Sequence, residues 1–192
     1  MEPSRRFERL RAVFFDAGNT LLQINYAAIV EQLTLRGIGR TPEEVGRAEH
    51  RARVRLDPHL APGASTESQS VAGYYFRYLL EELGITDPAT SRALAEWRRS
   101  YNLPVGLWNQ ADPEAEKVLR RLRAEGVTTG VVSNSNGSVQ GILEELGLFR
   151  HLDFVLDSAV VGVEKPDPRI FRLALDAARV APAEAVYIGD LY

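Results

Sequence analysis

The run Ala12-Val13-Phe14-Phe15 is wholly apolar and is cut off by Asp16; Ala17-Gly18-Asn19-Thr20 follow, and Leu21-Leu22 turn apolar again. A short apolar run bounded by turn residues reads as a buried strand. It delivers a single carboxylate to its carboxyl end, where open α/β sheets build their sites. A buried carboxylate is costly unless a metal, a cation or hydrogen bonds hold it. The remainder of the chain offers candidates for all three.

Residues 106–192 alternate between helical and strand patterns. Asp112-Pro113 opens a helix with Ala115, Val118, Leu119 and Leu122 on one face, closed by Gly126. Val127 to Val132 reads as a strand. Val139, Ile142, Leu143 and Leu146 mark a helix that stops at Gly147. Phe154 to Leu156 is a short strand. Asp167-Pro168 opens a further helix, and Ala185 to Ile188 is the last strand. Strands alternating with helices imply a parallel sheet with helices on both faces.

Residues 21–105 have a different texture: helical throughout, with no convincing strand. Thr41-Pro42-Glu43-Glu44 carries an N-cap, a proline at the first helical position and a capping-box glutamate. Asp87-Pro88 repeats the device, and Gly37 and Gly84 stand where helices should stop. Residues 57–70 read as a loop. About four helices are expected here, inserted just after the first strand as a small bundle. The expected division is 1–20 with 106–192 as the α/β core, and 21–105 as the helical insertion.

Composition narrows the function. The chain has 192 residues, 45% of them hydrophobic, enough for a real core. Its net charge of −3 gives no electrostatic footprint for nucleic acid or a membrane surface. With no cysteine, disulfides, zinc-thiolate sites and cysteine nucleophiles are excluded. No apolar run approaches the roughly 20 residues that span a bilayer. Arg5, Arg6, Arg9 and Arg11 are not followed by the apolar stretch of a signal peptide. A soluble cytoplasmic protein is expected. Lysine occurs only at Lys117 and Lys165, so a well-placed lysine stands out.

Each expected strand ends in polar residues: Asp16, then Ser133-Asn134-Ser135-Asn136-Gly137, then Gly189-Asp190. Glu164-Lys165-Pro166-Asp167 precedes the helix at 168. In a parallel sheet these ends share one edge, so Asp16, Ser133, Lys165 and Asp190 can converge. Two carboxylates and a backbone carbonyl suit Mg²⁺. A serine hydroxyl, backbone N–H groups and one ammonium suit phosphoryl oxygens. An ionised aspartate beside phosphorus can act as a nucleophile.

These residues resemble the haloacid dehalogenase (HAD) superfamily, in the subgroup with a helical cap inserted after the first motif. Phe15-Asp16-Ala17-Gly18-Asn19-Thr20-Leu21 resembles its motif I, and Val131-Val132-Ser133-Asn134 motif II. Lys165-Pro166-Asp167-Pro168 with Ile170-Phe171 resembles motif III, and Tyr187-Ile188-Gly189-Asp190 the start of motif IV. Four motifs in order span nearly the whole chain. The resemblance implies a Rossmann-like parallel-sheet core with an all-helical cap. It implies Asp16 as nucleophile, and Asp16, the Gly18 carbonyl and Asp190 as Mg²⁺ ligands. Ser133 and the Asn134 amide would bind phosphate, and Lys165 would neutralise charge.

Two departures stand out. The family's phosphatases usually carry an acid–base aspartate two residues after the nucleophile, where this chain has Gly18; losing such a group typically costs about 10²–10⁴-fold in rate. The family also usually continues past Gly-Asp to another acidic residue, a helix and a strand, so strand 185–189 is expected to present a bare edge.

The implied function is a Mg²⁺-dependent phosphatase of a small phosphorylated metabolite, by way of an aspartyl-phosphate. One alternative is a haloacid dehalogenase, which needs no aspartate at position 18 but whose relatives lack the Gly-Asp metal motif. Another is a catalytically feeble relative that binds a ligand or partner. Phosphonate cleavage is set aside, because relatives use a cap lysine and 21–105 contains none.

Singly, these residues have ordinary readings. Asp16 could cap a turn, Ser133-Asn134 could be turn chemistry, and Asp190 could cap a helix. His50, His59 and His151 show no metal-ligand spacing, although His50 is a remote candidate acid. Trp97, Tyr101 and Trp108 read as packing, and Asp157 and Glu164 as solvated or capping.

Overall fold

The computed structural model describes residues 10–56, 69–101 and 106–190. The chain divides into two compact units, one of Met1–Gln23 with Trp108–Tyr192 and the other of Ile24–Leu107.

The first unit is built on a parallel sheet. Its strands are β1 (Ala12–Phe15), β4 (Thr128–Ser133), β5 (Phe154–Asp157) and β6 (Ala185–Ile188), in the order β5-β4-β1-β6. β1 is interior and all four of its residues are buried, as expected of a strand covered on both faces. Phe15 aligns with Val131 on one side and Ile188 on the other. Ser133 aligns with Asp157. The residues that follow β1, β4 and β6 therefore leave the sheet along one edge.

Packing follows the period-2 alternation of each strand. Ala12, Phe14 and Val132 point to one face, where Ile170 and Ala174 of α8 (Pro168–Ala178) cover them. Val13, Phe15 and Val131 point the other way and are equally buried; α5 (Ala115–Ala124) lies against β4. The remaining helices of this unit are α6 (Val139–Glu145) and the single turn α7 (Ser158–Val161). β5 and β6 are the edge strands among the described residues, and Val186 and Ile188 of β6 are 37% and 44% exposed.

The second unit holds α1 (Tyr26–Thr34), α2 (Pro42–Val54), α3 (Gln69–Glu82) and α4 (Pro88–Tyr101), each packed on the next. Thr41 forms its capping box with Glu44, and the Asp87 carboxylate accepts from the Thr90 N–H. Among the described residues, the buried faces of these helices are apolar except at Glu49. That carboxylate is fully buried, accepts hydroxyls from Tyr26 at 3.2 Å and Tyr75 at 2.7 Å, and pairs with Arg53 at 2.9 Å.

Two local expectations change. The segment after residue 21 is not wholly helical: β2 (Leu22–Gln23) pairs antiparallel with β3 (Gln110–Ala111). Two-residue strands are too short to show a period, and their pairing comes from distant parts of the chain. Asp112-Pro113 does not cap α5 directly; the Asp112 carboxylate accepts from the Glu114 N–H and the Gln23 amide, and the helix starts at Ala115. Of the two ordinary readings of Asp157, solvated or capping, the structure shows the second: it is 3% exposed and caps α7. The bulk of the expected loop 57–70, and the arginines before residue 10, lie outside the described residues.

Candidate active site

Asp16 is the first residue past β1, and its N–H still donates to the Ile188 carbonyl of β6. The strand pairing thus fixes its backbone before the chain turns. The Ala17 carbonyl then accepts from the N–H groups of Leu21 and Leu22 at 3.0 and 2.8 Å, folding Ala17–Leu22 into a tight turn. One carboxylate oxygen of Asp16 accepts from the Ala17 N–H at 2.7 Å. The other lies 2.7 Å from Lys165 Nζ. Both side chains are largely buried, at 18% and 15% exposure, so this ion pair is far less screened than a surface pair.

Lys165 reaches Asp16 because its backbone is gripped. The Asn134 carboxamide accepts from the Lys165 N–H at 2.7 Å and donates to the Lys165 carbonyl at 2.9 Å. This two-point clamp ties the turn after β4 to the segment before α8. It also commits the Asn134 side chain, leaving the backbone amide as what Asn134 can offer a ligand. Ser133 is nearly buried, with its hydroxyl 3.4 Å from the Asn134 carbonyl.

The turn after β4 is held from below by Asp157. Its carboxylate accepts from the N–H groups of Gly137, Val139 and Ala159. The Ser158 hydroxyl bonds both the N–H and the carbonyl of Ser135. Asp157 thus supports the site by satisfying backbone donors that the turn would otherwise bury.

Asp190 follows β6. Its carboxylate accepts from the Asn19 side-chain amide at 2.9 Å, which links it to the turn that carries Asp16. Tyr187 sits between the two acids. Its hydroxyl lies 2.8 Å from Lys165 Nζ and also hydrogen-bonds Asp16. Its ring stands edge-on to Phe171, with centroids 5.1 Å apart. Burial pushes the Tyr187 phenol well above its ordinary value, and the negative charges of Asp16 and Asp190 push it further. The phenol is neutral through the physiological range.

Gly18 packs on Trp108: a Cβ at position 18 would meet the indole at 3.5 Å. Trp108 is thus packing, as expected, but it packs on the turn that carries Asp16. Trp97 and Tyr101 form a ring pair of their own in the second unit, centroids 5.1 Å apart. His50 is on α2, 3.8 Å from Glu49. His151 contacts the exposed Glu116, and His59 lies outside the described residues.

Asp16 and Lys165 therefore meet directly, Asn134 fixes Lys165, and Asp190 joins through Asn19 and Tyr187. Sequence reasoning passed over Asn19, Tyr187 and Asp157 as site residues. The available signals were small: a non-glycine residue inside a tight turn, a polar-tipped aromatic two residues before Gly189, and an acid at a strand end.

The chain is similar to known proteins in sequence and in fold. A family profile described as haloacid dehalogenase-like hydrolase matches residues 10–192. Haloacid dehalogenase-like hydrolase domain-containing protein 3 of Bos taurus is 32% identical over 191 residues, covering 96% of this chain and 75% of its own. The phosphoserine phosphatase of Thermus thermophilus is 42% identical over 120 residues, covering 60% of this chain and 45% of its own. Among solved structures, the HAD-hydrolase YfnB of Bacillus subtilis, bound to magnesium, shares the fold with a TM-score of 0.62 at 21% identity, over 95% of this chain and 79% of its own. No described helix is long and apolar enough to cross a membrane. The chain belongs to the haloacid dehalogenase-like hydrolases.

Proposed function

We propose that this hydrolase is a Mg²⁺-dependent phosphatase of a small phosphorylated metabolite, with Asp16 as nucleophile and residues 24–107 as the cap. The observation that carries the reading is the Asp16–Lys165 pair, 2.7 Å apart at the carboxyl edge of the sheet. The likeness to a phosphoserine phosphatase supports it.

The donor set suits the metal. No three His, Cys, Asp or Glu side chains among the described residues form a ready-made cage. Asp16, Asp190 and the Gly18 carbonyl offer two carboxylates and a neutral oxygen instead. Such a hard, open set fits Mg²⁺, which keeps several waters and is completed by substrate oxygens. When bound, the ion draws charge from the phosphoryl oxygens and orients them.

The residues of the chain divide the remaining work. The Ser133 hydroxyl and the Asn134 backbone amide bind phosphoryl oxygens, and the Lys165 ammonium offsets the charge that two anions bring together. An Asp16 oxygen attacks phosphorus, and the bond from phosphorus to the ester oxygen breaks. The departing alkoxide takes its proton from water, since Gly18 offers no acid. A second water attacks the phosphorus of the aspartyl-phosphate, the bond to Asp16 breaks, and that water's proton passes to solvent. Carboxylate and inorganic phosphate are regenerated.

Hydrolysis of p-nitrophenyl phosphate, measured with Mg²⁺ and with EDTA, tests this. Turnover should need Mg²⁺ and fall to background in Asp16→Asn; a variant as active as the parent sinks the nucleophile assignment. Gly18 favours a second reading, halide displacement by Asp16, because a leaving halide needs no proton; Asp190 speaks against it. Chloride released from 2-chloropropionate in EDTA would select that chemistry. Silence in both assays would point to a relative that binds a ligand or partner without turnover.

A further inference from the structure

Asn19 occupies a backbone conformation that residues other than glycine seldom adopt. Its φ is +51°, in the left-handed region. Only one other described non-glycine residue has a positive φ, and that one, Arg179, is the C-cap of α8. Asn19 caps no helix. Glycine would adopt this conformation without penalty, whereas a side chain there is tolerated best for asparagine and aspartate. A strained residue that persists at a site needs a reason in what its side chain does.

That side chain has one contact of note. The Asn19 amide nitrogen donates to an Asp190 carboxylate oxygen at 2.9 Å. A carboxylate can only accept, so the amide presents its nitrogen. The contact bridges the loops after β1 and β6, which are neighbours in the sheet through the Phe15–Ile188 pairing. A donor on one carboxylate oxygen fixes the orientation of the group.

We propose that Asn19 is a positioning residue for the metal: it holds the Asp190 carboxylate toward the Mg²⁺ site, and its side chain is kept at the cost of backbone strain. This rests on the Mg²⁺ reading above. Groups that orient a ligand from outside the coordination sphere typically change metal affinity about 10–100-fold when removed.

Two variants separate the amide from the backbone. Asn19→Gly removes the donor and relieves the strain; Asn19→Ala removes the donor and keeps the strain. Mg²⁺ is titrated into each protein by calorimetry, and thermal midpoints are read without metal. Both variants should bind Mg²⁺ at least about tenfold more weakly. Their midpoints should move oppositely, with the glycine variant at or above the parent and the alanine variant below it. An Asn19→Gly protein with the parent's affinity overturns the inference, as does weakening confined to Asn19→Ala. Asp190→Asn is the control for the underlying reading. If it binds Mg²⁺ like the parent, or the parent binds none, the metal assignment falls and this inference with it. If Asp190→Asn loses the ion while Asn19→Gly does not, only the role of Asn19 is refuted.

Discussion

Lys165 Nζ lies 2.7 Å from the Asp16 carboxylate, and the lysine is held there by a reciprocal pair of hydrogen bonds between its backbone and the Asn134 side chain. One charge sits beside the proposed nucleophile, and a neutral amide fixes where that charge can be. Lys165→Ala removes the charge and should lower kcat by about 10²–10³-fold, the usual loss when one electrostatic donor to a transition state is deleted. Lys165→Arg keeps the charge but exchanges a compact ammonium for a planar fork, and should recover only part of it. Steady-state kinetics with p-nitrophenyl phosphate decide this.

Asn134→Ala leaves the Lys165 N–H and carbonyl without their partner. An orphaned buried backbone group costs about 1–3 kcal/mol. The urea midpoint should fall accordingly, with no change in the slope. kcat/KM should fall too, because the lysine loses its anchor although its charge remains. A variant as stable and as active as the parent would show that the clamp does not matter.

Gly18→Asp tests the missing acid. A Cβ at position 18 meets Trp108 at ordinary contact distance, so the substitution starts without a clash at that atom. If leaving-group protonation limits turnover, kcat should rise toward the ~10²–10⁴-fold that a general acid supplies. An unchanged kcat would mean that another group or bulk water already meets that need. Phosphate release under saturating Mg²⁺ is the readout.

Three of the seven tyrosines should resist ionisation. Burial and the Glu49 carboxylate push Tyr26 up to about 12 and Tyr75 well above its ordinary value. Burial, with Asp16 and Asp190, does the same for Tyr187. Each raised folded-state value means that the fold favours the neutral phenol. The associated stability is intact below the unfolded value of about 10 and is lost as pH climbs above it. Alkaline titration followed by phenolate absorbance should show these three ionising above the ordinary tyrosine value of about 10. Denaturation above about pH 10 should release them together.

Glu49 anchors the second unit. Glu49→Ala strands the Tyr26 and Tyr75 hydroxyls and leaves Arg53 without its buried partner. Removing one member of a buried ion pair costs about 3–5 kcal/mol; Arg53 is a quarter exposed, which favours the lower end. Thermal unfolding would register this as a clear drop, and no drop would mean that water replaces the network.

Much of this was written along the chain, because strands and helices carry local periods. The apolar run before Asp16, the alternation of strands and helices, the capping box at Thr41 and the cap-and-proline device at Asp167 are all short-range patterns. A parallel sheet sends every strand's carboxyl end to one edge, so topology puts Asp16, Ser133 and Asp190 along that edge, whereas Lys165, in the segment before α8, meets Asp16 through the hold of Asn134. Other features depend on contacts between residues far apart in sequence. The β2–β3 ribbon has no period to detect, and nothing local marks Asn134 as the clamp on Lys165. Asp157 looks like any acid at a strand end until three backbone donors are seen to surround it. Tyr187 joins the site only because pairing with β1 sets β6 in register, so that alternate side chains face the same way. Composition and periodicity determined which residues could stand at the edge of this sheet. Tertiary packing decided which hydrogen bonds hold them there, since a side chain's partner is set by distances that only the closed fold creates.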